Sequence, residues 1–376
     1  MSTFIIDEPY VSCLALKTLA AMRAPVLRNA FAAKLGDAGL RLVDASELDE
    51  KIYSTSENAI DLVLKCLPGS RLAGQVKLCK NKYEFRRRLQ GVYPNFYFRR
   101  LTPTEFDLVD NLPARFIVKP TVGFLSMGVH KVEVQADWAK AKAALKAEAG
   151  DFRRNFPESV LSPSEFIIEE LIEGEEFAID VYFGSAGEPA ILNIFKHPFA
   201  GKDDVSDRLY ITSKAIVENN LGRFVEALAK IGNAFSFRDF PAHIEVIKTP
   251  AGQVIPIEIN PMRFAGWCTT DLAYFAYGIN VYEYFAQGRK PDWPAILRER
   301  GSETYYFAMA EMPTAIDKSR LAIDHASFKR NFSEILEYRP IDHRTKPLFA
   351  IVFGRTSSQA ELDRILHLKT ADYISA

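Results

Sequence analysis

The chain has 376 residues, 48% of them hydrophobic and 25% charged, enough for two or three domains that each build a core without covalent staples. A formal net charge of -1 excludes a global field for nucleic acid or anionic lipid. Four scattered cysteines (Cys13, Cys66, Cys79, Cys268), with no CxxC pair and no clustered histidines, argue against a disulfide scaffold or a structural zinc site. The opening MSTFIIDEPY lacks a basic leader, and no apolar stretch has membrane-spanning length. The expectation is a soluble cytoplasmic protein with neither a membrane nor a nucleic-acid partner.

From the N-terminus, FII (4–6) predicts a short strand, CLALKTLAAM and RNAFAAKLGDAGL predict helices, and LRLVD predicts another strand. The polar SELDEKIYSTSENAIDLVLKCL and a turn, PGSRLAG, follow. This alternation predicts a small open α/β domain over residues 1–80. It lacks GxGxxG, so it is not a credible dinucleotide site. Residues 77–100, KLCKNKYEFRRRLQGVYPNFYFRR, interleave arginine with aromatics, a composition that suits stacked bases. The acidic stretches SELDE and DLVDN around it favour instead a helix with a solvated arginine face and an extended segment.

ARFIVKPTVGFLSMGVHKVEV (114–134) predicts strand, glycine-punctuated loop and strand, and ADWAKAKAALKAEAG (136–150) a helix ending at Gly150. Lys119 closes an apolar strand, where lysine is rarely buried without a partner. The loop with Gly123, Ser126 and Gly128 can bring backbone N–H groups close to an anion. Together they have the makings of a phosphate grip, though the stretch is neither a Walker A loop nor a GxSxG elbow and a plain β-hairpin accounts for it equally well.

SEFIIEELIEGEEFAIDVYFGSAGEPAILNIFKH (164–197) contains three strand-like runs separated by EGE and GSAGEP. Glu173 and Glu175 fit a solvated turn. Glu169 and Glu176 adjoin buried runs, where an unpaired carboxylate is costly; an adenine amino group or ribose hydroxyls could supply the missing donor. In PAHIEVIKTPAGQVIPIEIN (241–260), two apolar strands flank KTPAGQ as a hairpin. Pairing across it can bring Glu245, Glu258 and Asn260 to one face, three hard oxygen donors suited to magnesium. The competing reading, an exposed polar face, is weakened by the alternating isoleucine and valine and by Pro261 at the strand end.

In this order, NKYEFRRRL, FIVKP followed by GFLSMGV, EELIEGEEF, and a paired E and ExN ending in EINP resemble the ATP-grasp superfamily, over about residues 75–290. The resemblance implies an α/β and α+β protein of the ATP-grasp fold. Its parts would be an N-terminal open α/β domain (1–80), an ATP-grasp domain (81–290, lid about 115–180) and a small C-terminal α+β cap (291–376). It implies ATP, with Lys82 and Lys119 on the phosphates, Gly123, Ser126 and Gly128 in the lid, Glu169, Glu170, Leu171 and Ile172 as the adenine hinge, and Glu176 on the ribose. Glu245, Glu258 and Asn260 would hold two magnesium ions, for which manganese could substitute.

The implied chemistry is ligation: a carboxylate takes the γ-phosphoryl group, and an amine displaces phosphate from the acylphosphate. RFAGW (263–267) is similar to the corresponding stretch of bacterial L-amino acid ligases, which points to amino acids as the carboxylic acid and amine. A homodimer would be in keeping with a soluble enzyme. Arg263 suits the transferred phosphoryl group or the substrate carboxylate, because its planar fork binds oxyanions bidentately. Many family members have arginine directly after the proline, where this chain has Met262. His243 is expected as a catalytic group or as a neutral core histidine. Lys196 and GKDDVSDR (201–208) are expected as a flap over the substrate or as ordinary surface. In the C-terminal region, Tyr305 and Tyr306 read as core, and His325, His343 and His367 are scattered. A small-molecule kinase or a nucleotide-binding sensor on the same scaffold are the alternative functions.

Overall fold

The computed structural model describes residues 2–36, 38–122, 128–155, 164–201, 208–313 and 318–375. Strands β1 (Thr3–Ile5), β2 (Pro25–Leu27), β3 (Arg41–Val43) and β4 (Ile52–Ser54) form a parallel sheet in the order β3-β2-β1-β4. Helices α1 (Cys13–Ala21) and α2 (Ala30–Lys34) begin after Ser12 and Asn29, whose side chains accept from Ala15 N and Ala32 N, N–H groups with no partner inside the helix. The strand β2 is too short for the sequence to show a period there.

After α3 (Ile60–Cys66), the expected turn PGSRLAG is shorter than anticipated. Ser70 caps a helix, α4 (Arg71–Lys80), by accepting from Ala73 N. Asn81 then ends α4 and caps α5 (Lys82–Leu89), accepting from both Tyr83 N and Glu84 N.

A second sheet is antiparallel, β5 (Phe98–Leu101), β6 (Phe116–Pro120), β7 (His130–Val132) and β8 (Phe166–Glu170), in the order β5-β8-β6-β7. Helix α6 (Gln135–Asn155) covers it, with Trp138 edge-on to Phe106 and Phe116. It runs past Gly150, the expected end. One glycine costs about 1 kcal/mol relative to alanine, which an alanine-rich helix packed on a sheet tolerates.

The central sheet has eight antiparallel strands: β9 (Glu175–Phe183), β10 (Pro189–Lys196), β11 (Leu209–Ser213), β12 (Phe240–Lys248), β13 (Val254–Pro261) and β14 (Thr304–Glu311), then, after the short β15 (Ala322–Ile323), β16 (Ile335–Pro340) and β17 (Leu348–Thr356). Their order is β13-β12-β9-β10-β11-β14-β17-β16, and β15 pairs instead with β18 (Ile374–Ser375). The region from 291, expected as a cap, thus contributes three strands to the core's own sheet. The unbroken apolar run LFAIVF explains why, since such a strand is buried on both faces. Helix α7 (Lys214–Phe235) packs on one face of β9 and β12, where Phe177 meets Phe224 at 5.3 Å between ring centres and Lys248 donates to Asn220 Oδ1 at 2.9 Å.

Candidate active site

The opposite face carries the polar residues. Along β12, His243 pairs with Asp180 of β9 on one side and Asn260 of β13 on the other; Glu245 pairs with Ala178 and Glu258. Directly paired residues of antiparallel strands present their side chains on the same face. Asp180, His243 and Asn260 therefore form one row, and Ala178, Glu245 and Glu258 the next. A bulge in the β12–β13 ladder follows Glu245 at once, a common device for aiming side chains at a site. Asn260 Nδ2 donates to Glu245 Oε1 at 3.2 Å, so the structure brings together the three donors expected from the hairpin.

Two carboxylates directly opposite one another repel. The Lys82 ammonium is within electrostatic reach of Glu258, and the Arg263 guanidinium of both Glu245 and Glu258. Among the described residues, no three His, Cys, Asp or Glu side chains gather as a metal cluster. The set is two carboxylates and one amide oxygen, too few to encage an ion. That donor chemistry fits magnesium, which keeps several waters and shares phosphate oxygens.

His243 is buried, its Nδ1 held by Asp180 Oδ1 at 2.8 Å. The same oxygen accepts from Ala265 N at 2.8 Å, tying the ring to the turn after β13. Its Nε2 lies 4.0 Å from Glu245 Oε1. It is thus a core histidine in contact with the carboxylate row.

Lys119 and Glu169 are buried together on neighbouring strands of the second sheet, with Lys119 Nζ 2.9 Å from Glu169 Oε2. Arg86 completes the group: its Nε and Nη2 donate to the two oxygens of Glu169 at 2.9 and 3.1 Å, and its Nη1 donates to Pro256 O at 2.7 Å. Burial opposes ionisation of Glu169, but the Arg86 and Lys119 charges outweigh it and bring the pKa down to about 2. Two expectations are corrected here. The donors sought for Glu169 in adenine or ribose come from within the chain, and the arginine face of α5 is not wholly solvated. Arg86 was missed as a site residue although it stands three before Leu89, on the buried side of α5.

Lys82 opens α5, and its backbone N–H donates to Thr121 O at 2.8 Å, beside the end of β6 that carries Lys119. Burial pushes the Lys82 ammonium's pKa down, against the pull of Glu258. Gly128 has φ +69, a conformation that favours glycine, while Gly123 and Ser126 lie outside the described residues, as does 202–207 of the expected flap.

Along the hinge, Glu170 N donates to Tyr97 O and Leu171 N to Arg115 O, each at 3.1 Å, while Ile172 packs on the main core. Glu173 pairs with Arg115, and Glu175 with Lys196 and Lys248, as expected of turn charges. Glu176 pairs across β9 with Ile247, which puts it on the face of Glu245. His197, which the sequence reading passed over, lies with its Nδ1 3.6 Å from Glu176 Oε1 and stacks on Tyr210.

Lys196 falls on the other side. It pairs with Phe177, which faces α7, and its Nζ binds Glu175 at 2.7 Å. Strand parity sets Lys196 apart from the expected flap over the substrate: the sheet separates it from Glu245.

Arg263 follows β13. Its Nε and Nη2 donate to Glu57 Oε1 at 3.2 and 3.1 Å, and its Nη1 donates to Phe264 O at 3.0 Å. Met262, which stands where many relatives of the resemblance have arginine, is buried with φ +62, and its carbonyl accepts from Ser54 N at 2.6 Å. Glu57 and Ser54 belong to the N-terminal unit, so that unit forms one wall of the site. Neither was marked by the sequence.

The family model of the ATP-grasp domain matches residues 112–271. No curated protein matches the chain. Among solved structures, L-amino acid ligase from Bacillus licheniformis superposes with a TM-score of 0.64 at 15% identity, over 99% of this chain and 97% of that one. N5-carboxyaminoimidazole synthase from Aspergillus clavatus, in complex with ADP and an aminoimidazole ribonucleotide, gives 0.64 at 13% identity over 99% and 98%. Biotin carboxylase from Campylobacter jejuni gives 0.60 at 13% identity over 94% and 87%. At such identities the likeness is one of fold. Residues 112–271 match the ATP-grasp domain, and the chain as a whole has the ATP-grasp fold.

Proposed function

We propose that the chain is an ATP-dependent carboxylate–amine ligase that makes an amide or peptide bond and releases ADP and phosphate. The observation that carries this reading is the single sheet face on which Glu245, Glu258 and Asn260 stand in register, within electrostatic reach of Lys82 and Arg263. A carboxylate is a poor electrophile. Its oxygen attacks the γ-phosphorus of ATP, and the bond to the bridging oxygen breaks with its electron pair leaving on ADP. The amine nitrogen then attacks the acyl carbon, the acyl–oxygen bond breaks to release phosphate, and the nitrogen loses a proton.

Little covalent help is required from the protein, since positioning and charge neutralisation carry such transfers. In this reading Lys82 and Lys119 bind phosphate oxygens, Glu176 accepts from the ribose, the segment Glu169–Ile172 borders the adenine, and Arg263 holds the acyl oxyanion. Glu245, Glu258 and Asn260 would hold two magnesium ions, which when bound neutralise the β- and γ-phosphates. Amino acids are the favoured substrates because RFAGW and the amino acid ligase among the structural neighbours agree. The test is product analysis with ATP, magnesium and pools of amino acids and small acids. ADP, phosphate and a new amide mass are expected. ADP with a phosphorylated product would make the chain a kinase, and ATP binding without ADP a sensor.

A further inference from the structure

We infer that Glu57, on the N-terminal unit, is a positioning residue for Arg263, so that this unit sets the geometry at the acyl end of the site. The inference rests on the ligase reading above. Glu57 begins a single 3-10 turn directly after β4, fixed by Ser56, whose hydroxyl accepts from Asn58 N at 3.2 Å. One carboxylate oxygen of Glu57 takes both Nε and Nη2 of Arg263. The other accepts from Lys80 Nζ at 2.6 Å, and Lys80 closes α4. The backbone before Arg263 is fastened separately, by Ser54 N on the Met262 carbonyl.

These bonds define the plane of the guanidinium. They occupy its Nε–H and one N–H on each terminal nitrogen, which leaves one N–H on each terminal nitrogen for an oxyanion. Arg263 and Lys80 share the single charge of Glu57, and Glu245 and Glu258 also lie within electrostatic reach of Arg263. Burial opposes ionisation of Glu57, yet Arg263 and Lys80 hold its pKa at about 2, so the clamp stays charged at neutral pH. Side-chain placement at a reacting centre is sensitive, and removing the group that orients a functional side chain typically costs about 10- to 100-fold.

The test compares Glu57→Gln and Glu57→Asp with the wild-type chain in ADP formation from ATP, magnesium and the amino acid pool. Glu57→Gln is expected to lower kcat about 10- to 100-fold while the KM for ATP stays within about twofold, and Glu57→Asp to recover part of the loss. Unchanged kcat in a folded Glu57→Gln protein would overturn the inference, as would loss without recovery in a folded Glu57→Asp protein. An activity-independent measurement keeps the two readings apart. The Nε–H resonance of Arg263, assigned by its loss in Arg263→Lys, should exchange at least about 10-fold faster with water in Glu57→Gln. Unchanged exchange would overturn the positioning role. If the wild-type chain forms no ADP, the ligase reading falls, and the exchange measurement still decides whether Glu57 holds Arg263.

Discussion

Glu245 and Glu258 stand directly opposite one another on β12 and β13, an arrangement that costs stability unless cations answer it. Lys82 and Arg263 supply part of the answer within the chain, and a magnesium ion would supply the rest. Glu258→Gln is therefore expected to reduce ADP formation at least about 100-fold while the far-UV circular dichroism and the melting temperature stay close to those of the parent. Normal turnover in this variant would remove Glu258 from the proposed metal site.

Glu169 poses the opposite case, a carboxylate whose value lies in holding two buried cations. Glu169→Gln would leave Arg86 and Lys119 without their counter-charge, and breaking a buried pair by removing one partner typically costs about 3–5 kcal/mol. Urea unfolding should show a loss of that order. A change below about 1 kcal/mol would mean that the network is not closed as described.

The same two carboxylates predict an acid limb. Glu57 and Glu169 are held at about 2, below their ordinary 4.5. A carboxylate depressed on folding contributes stability that is full above its unfolded pKa and is lost as pH falls through the folded one. Stability should accordingly decline between about pH 4.5 and 2, each carboxylate accounting for about 3 kcal/mol, and Glu169→Gln should flatten that slope. Denaturant midpoints across this range give the measurement.

Lys119→Ala is expected to weaken ATP binding by about 10-fold or more in calorimetry, because it deletes a cation from the phosphate end of the proposed site. Unchanged affinity would confine Lys119 to its structural pairing with Glu169.

Lys196→Ala tests the assignment of faces. With its ammonium on Glu175, across the sheet from Glu245, the variant should form ADP within about twofold of wild type, since surface ion pairs contribute little. A large loss would mean that the face assignment is wrong.

The hairpin of Glu245, Glu258 and Asn260 was legible because strand alternation and a tight turn fix which side chains can meet. Lys196 was not, because parity decides everything in a strand and the β9–β10 ladder is reset by an irregularity between Ile191 and Asn193. Arg86 looked like one of three solvated arginines; its burial and its hydrogen bonds to Glu169 on β8 and Pro256 on β13 separate it from the exposed Arg87 and Arg88. Glu57 offered no local signal at all, since its partner lies 206 positions away in another unit. The C-terminal strands were readable as strands, but nothing local says which sheet a strand will join.

The most direct test of the acyl-phosphorylation claim is isotope transfer. Once product analysis has identified the acid substrate, its carboxylate is labelled with 18O and the phosphate released with ADP is examined by mass spectrometry. One labelled oxygen is expected in each phosphate formed along with the amide, because a carboxylate oxygen leaves bonded to phosphorus. Amide formation with unlabelled phosphate would contradict acyl phosphorylation.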